Sequence, residues 1–144
     1  MARFLTAADI VIVLSQPDTF PAPFQLQGFA TDDVFSADAL DIAETQMGVD
    51  GTLSGGYVPR EVRQRFMLQA DSASIDYFEA IYAAQVAQRA TLLFSGIFTI
   101  PAVEKTYNAA RGFMTGYQPI PNAKKVLQPR EFMITWQSFS PGPA

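Results

Sequence analysis

The chain has 144 residues, 49% hydrophobic and 17% charged, with a net charge of −4 and neither cysteine nor histidine. That length suits one domain with a single core, and the composition is that of a globular protein. The two missing residue types exclude disulfides, thiolate or imidazole metal sites, and nucleophile or acid–base pairs built on Cys or His; no enzyme, cofactor or metal is expected.

No apolar run approaches the roughly 18 residues of a membrane span. The stretch "ADIVIVLS" is too short for a signal core and reads as a strand. The lack of cysteine suits a reducing compartment at the moment of folding.

Charge is spread unevenly. From Phe4 to Pro59 there is no Lys or Arg against eight acids: Asp9, Asp18, Asp32, Asp33, Asp38, Asp41, Glu44 and Asp50. From Arg60 onward nine bases face six acids. This is either an internal balance of surfaces or a subunit whose acidic and basic regions meet on neighbouring copies. The bases are scattered, which fits nucleic-acid binding poorly.

In chain order, "DIVIVL" (Asp9–Leu14) is a buried strand, and "SQPDTFPAPF" is held in a loop by three prolines. "FQLQGFA" alternates Phe24 and Leu26 with Gln25 and Gln27, a strand with one wet face. "TDDVFSAD" supplies turn residues. "ALDIAETQM" alternates again, Leu40 and Ile42 opposite Asp41 and Ala43. "REVRQRFMLQA" sets Val62, Phe66 and Leu68 against Glu61, Arg63 and Arg65, a strand with a charged outer face.

The period then changes. "DSASIDYFEAIYAAQVAQR" (Asp71–Arg89) opens with N-cap candidates Asp71, Ser72 and Ser74. Ile75, Phe78, Tyr82 and Val86 fall within about 80° of helical arc and form the expected core stripe. Ala80, Ala83, Ala84 and Ala87 occupy another side; helix propensity explains them, or a smooth face for a neighbour does. "ATLLFSGIFTI" is a central strand interrupted by Pro101. A short strand and an irregular segment punctuated by Gly112, Gly116, Pro119 and Pro121 follow. "REFMITWQS" closes the set, with Phe132, Ile134 and Trp136 inward, and "SPGPA" is a fraying tail.

These elements predict a mainly β chain with one helix (α+β): an antiparallel β-sandwich or barrel of six or seven strands. A long hairpin arm projects from it, and the helix, inserted after the fourth strand, packs on the outside over one opening or edge.

The densest glycine run, "MGVDGTLSGGYVPR" (Met47–Arg60), is not a phosphate loop, because no Lys follows and the next element is a strand. It reads as a hairpin with a flexible tip over Gly48–Pro59. Either it is a surface loop of no purpose, or it is an arm that docks on another subunit. Leu53, Tyr57 and Val58 favour the arm. The acids match no calcium loop. Lys124-Lys125 reads as a solvated surface or one half of a salt contact, and Trp136 as core.

Gly28-Phe29-Ala30, Gly48-Val49-Asp50-Gly51, the strand Val62–Leu68, the helix Ser74–Ala87 and the closing "REFMITWQ" together resemble the tail tube proteins of contractile-tailed bacteriophages. The Pro-rich insertion Pro17–Pro23 and "TLSGGYVP" depart from that pattern. The resemblance covers most of the chain and implies a single tail-tube-like domain over residues 1–144, with Ser140–Ala144 frayed. It implies sixfold rings, joined edge to edge and stacked head to tail, that form the conduit for DNA ejection.

The implied inter-ring contact is Val49, Asp50, Gly51, Thr52, Leu53, Ser54, Gly55, Gly56, Tyr57 and Val58. Asp41 and Glu44 would face the lumen, where an acidic lining lets DNA slide. Ala80, Ala83, Ala84 and Ala87 would face outward or toward a neighbour. Implied partners are further copies of the chain, the tail sheath outside, the tape measure protein and then genomic DNA inside, and baseplate proteins at one end, with no stable membrane association. The implied location is the virion tail, assembled in the host cytoplasm. A baseplate tube initiator or tail terminator ring is the alternative assembly role. A small β-barrel that binds an apolar ligand is the alternative of a different class.

Overall fold

The computed structural model describes residues 10–30 and 34–143. Asp9, Asp32, Asp33 and Ala144, used in the sequence reading, lie outside the described residues. Among the described residues nine strands and one α-helix follow in order: β1 (Val11–Ser15), β2 (Phe24–Gln25), β3 (Phe35–Ala37), β4 (Ala43–Met47), β5 (Leu53–Tyr57), β6 (Val62–Leu68), α1 (Ile75–Gln88), β7 (Phe94–Ile100), β8 (Lys105–Tyr117) and β9 (Arg130–Pro143), with a 3-10 turn over Pro101–Val103 between β7 and β8. Seven strands form one antiparallel sheet in the order β2-β1-β7-β8-β9-β6-β3, while β4 and β5 pair only with each other. The helix follows the sixth strand rather than the fourth, because β3 and β5 are strands that the sequence reading missed.

The large sheet is strongly curled. β6 and β7 are three strand steps apart, which in a flat sheet would be about 14 Å. Yet the rings of Phe66 on β6 and Phe98 on β7 stack with centroids 6.0 Å apart. Curling brings β1 and β6 near each other without pairing them, so the expected barrel stays open. Residues 24–30 span the gap: Leu26 N–H donates to Ile12 O at 2.9 Å, and Ala30 N–H donates to Met67 O at 3.0 Å. Between those anchors the chain turns through Gly28 at φ +71°. A Cβ on Gly28 would lie 2.6 Å from Ser72 Oγ, so the close approach to the start of α1 needs glycine there.

Inside the curl the core is aromatic. Phe66, Phe98, Phe132 and Trp136 are fully buried, and Trp136 Nε1–H donates to the buried Gln64 Oε1 at 3.0 Å. The helix closes one end. Phe78 stacks on Phe132 at 4.6 Å and Tyr77 on Phe24 at 4.3 Å. Its buried residues are Ile75, Phe78 and Ile81, whereas the expected Tyr82 and Val86 are exposed. Lying across an opening, α1 meets the core mainly through its first two turns, and Tyr82 instead stacks on Tyr117 at the rim, 4.2 Å between centroids. Ser74 takes the N-cap position, but its hydroxyl accepts from Gln27 N at 2.7 Å rather than capping the helix.

β8 and β9 form a long ribbon paired from Lys105↔Pro143 to Tyr117↔Phe132. The expected frayed tail is therefore strand as far as Pro143. The inward-facing positions change parity midway along both strands: Gly112 and Met114 but Ala109 on β8, Trp136 but Phe139 on β9. Arg111, at φ +49°, occupies the break, where the β7–β8 register shifts while β8–β9 pairing keeps step. A side chain at Gly112 would overlap the Trp136 ring.

Beyond Val62↔Trp136, β9 has no partner on its β6 side among the described residues. Ile12 O faces residue 26, so alternation carried through β1, β7 and β8 turns the backbone of Phe139, Pro141 and Pro143 toward that open edge. The two prolines leave it poor in donors, which blunts it against strand addition.

Candidate functional site

The β4–β5 arm stands apart from the core, and its paired residues are all exposed. Val58 N–H donates to Ile42 O at 2.9 Å and Gly48 N–H to Thr52 O at 2.7 Å, which fixes the register at both ends. The turn is confined to Gly48–Thr52, shorter than the flexible tip expected over Gly48–Pro59, because Leu53–Tyr57 pair with Met47–Ala43. Gly51 supplies φ +87°, and Asp50 Oδ1 accepts from Thr52 N at 3.0 Å. That backbone hydrogen bond, with one from the Thr52 side chain, holds the Asp50 carboxyl below its usual range.

Directly opposed residues of a hairpin share a face. One face of the arm carries Ala43, Thr45 and Met47 against Tyr57, Gly55 and Leu53. The other carries Glu44 and Gln46 against Gly56 and Ser54. The arm is thus amphipathic, with none of the described residues beneath the apolar face: Met47, Leu53 and Tyr57 are 62%, 60% and 80% exposed. Leu53 and Tyr57 stand out in the sequence as apolar groups of the arm, whereas Met47 does not. The signal was the Ala-x-Thr-x-Met alternation, legible only once β5 is seen as a strand.

At the arm's root, Arg60 Nε–H donates to Asp41 O at 3.0 Å, and its guanidinium lies 3.8 Å from Glu44. Arg65 contacts Asp38 and Glu131, each at 3.2 Å. Asp41 and Glu44 are both exposed there, Glu44 on the polar face and Asp41 just before the strand. An open depression at the root is lined by Asp38, Leu40, Asp41, Arg60 and Arg63. Among the described residues no cluster of acids could hold a metal ion. On α1, Ala80, Ala83 and Ala87 are exposed and Ala84 is half-buried against the core, far from the arm in sequence and in a different element.

A second polar constellation ties helix to sheet. The buried Arg130 donates to Glu79 at 2.7 Å and to Gln118 O at 2.8 Å, with its guanidinium over the Phe132 ring at 5.3 Å. These contacts fasten α1 to β9.

The overall fold is shared with chains of solved contractile injection particles. The chain resembles one from the 6-fold symmetrised baseplate of the anti-feeding prophage, with TM-score 0.67, 8% identity, and 99% and 98% of the two chains covered. It also resembles one from the extended sheath–tube complex of an extracellular contractile injection system, PVC, with TM-score 0.59, 11% identity, and 97% and 92% covered. A third likeness is to the tube-terminating cap of the anti-feeding prophage, with TM-score 0.57, 12% identity, and 100% and 94% covered. The chain belongs to the family described as tail fiber protein gp32, whose model matches residues 5–140. It is accordingly a structural component of a phage-like tail. No curated protein sequence matches it.

Proposed function

We propose that the chain is a ring-forming subunit of a contractile tail tube, with six copies per ring and rings stacked head to tail around a conduit for DNA. The observation that carries this reading is the arm: an amphipathic hairpin whose apolar face has no partner among the described residues, on a fold shared over nearly full length with chains of a sheath–tube complex, a tube-terminating cap and a baseplate. The polar face with Glu44, together with Asp41 at the exposed root of the arm, is assigned to the lumen, where acidic groups do not hold phosphates. The sheath and outer neighbours meet the exposed alanines of α1, and the tape measure protein precedes DNA inside.

The likeness to cap and baseplate chains favours a second reading, a single specialised ring at one end of the tube. Negative-stain microscopy of the purified protein tests both. Sixfold rings that grow into tubes support the first, and rings that never elongate support the second. Monomers at high concentration with no rings overturn both.

A further inference from the structure

Large exposed apolar side chains gather at two projecting hairpins. One is the arm. The other is the β8–β9 loop, residues 118–129, where Ile120, Val126 and Leu127 are each more than half exposed. The loop is organised rather than loose. Ala123 bridges Leu127, Gln128 N–H donates to Asn122 O at 2.8 Å, and Gln128 Nε2 donates to Val126 O at 3.0 Å. Its root is pinned by Arg130 on Gln118 O and by Glu131 N–H on Gln118 Oε1 at 2.9 Å. Apolar groups held outward on a pre-formed frame lose little freedom when covered.

The charges of the two hairpins are complementary. The loop carries Lys124 and Lys125 with no acid between Glu104 and Glu131, and neither lysine has an ion pair among those formed by the described residues. The arm has no cation anywhere in Leu40–Val58, and its tip presents Asp50, fixed by Thr52.

We infer that the arm of one copy docks on the β8–β9 loop of a second copy, with Met47, Leu53 and Tyr57 covering Ile120, Val126 and Leu127 and Asp50 lying beside Lys124 and Lys125. Two different surfaces meet, so the contact is heterologous, and made between successive rings it propagates as an open stack. The inference rests on the tube-subunit reading and names the contact that reading needs.

The chain has no native cysteine, which gives a clean crosslinking test. Separately purified Leu53→Cys and Val126→Cys proteins are mixed, assembled and oxidised, beside a Leu53→Cys and Val86→Cys mixture that reports docking on the helix flank. The expected result is a reducible dimer predominantly in the first mixture. An equal or larger yield with Val86→Cys overturns the inference, as do tubes that form with no Leu53–Val126 crosslink; in both cases the tube reading stands. Absence of rings and tubes in the unsubstituted protein overturns the reading beneath it. In parallel, Asp50→Lys, and the pair Lys124→Glu with Lys125→Glu, each slow tube growth by about tenfold or more. The triple variant regains growth, and its failure to do so, with folding intact by circular dichroism, removes the charge contact.

Discussion

Single residues show where polar groups support the core. Replacing Gln64 by Leu strands the buried Trp136 N–H and is expected to cost about 1–3 kcal/mol, read from denaturant midpoints. Gly28→Ala places a side chain at positive φ against Ser72 and is expected to cost at least about 1–2 kcal/mol. Arg130→Ala loses the contacts to Glu79, Gln118 O and the Phe132 ring together and is expected to cost on the order of 3 kcal/mol. Glu79→Ala is expected to cost less, about 1 kcal/mol, because Glu79 is half-exposed and Gln118 O stays with the guanidinium. Equal losses in the two variants would show that the ion pair, not the carbonyl, holds Arg130. Both buried polar residues were present in the pattern: Gln64 shares parity with Val62 and Phe66, and Arg130 with Phe132 and Trp136. The sequence reading collected only the apolar members of each face, so it missed these two.

At the level of elements, the arm is separable. Among the described residues it pairs with no other strand and contributes nothing to the buried core, so replacing Ala43–Tyr57 with a short Gly-Ser link is expected to leave the thermal midpoint within a few degrees while abolishing tube growth. A large fall in the midpoint would show that the arm braces the fold. The arm's turn carries its own pH dependence. Asp50 is held below the usual carboxyl range by Thr52, so its contribution is present above the unfolded value and is lost as pH falls through the lower folded one. Protection of the Thr52 amide from exchange is therefore expected to persist at neutral pH and drop in strong acid, and Asp50→Ala is expected to remove it at all pH. Period-two alternation made β4, β6 and the start of β9 legible, a continuous apolar run marked β1, and helical spacing found α1. It failed at β5 and β8, where Gly55, Gly56, Gly112 and Gly116 read as loop although they sit in ladders or beside bulges. It failed again at Pro141 and Pro143, where the missing donors face an open edge and break no ladder.

For the whole molecule, the end of β9 beyond Trp136 has one side unpaired among the described residues and so open to strand addition, and the two prolines restrain it. Pro141→Thr with Pro143→Thr is expected to raise irregular self-association, seen as light scattering without regular tubes; unchanged scattering would show that the edge is covered in some other way. Growth through the arm is instead expected to weaken as salt rises, since its charged contact is exposed and screened. The parity change shared by β8 and β9 has a consequence for how such a chain can vary in length. Removing Arg111 alone would mend the step against β7 but shift every later pair against β9. Around Arg111 only matched losses in both strands keep the ribbon in phase, whereas between Met114 and Gly116 β8 already carries one residue unmatched in β9, so a single-residue change in length is accommodated at that bulge and not at Arg111.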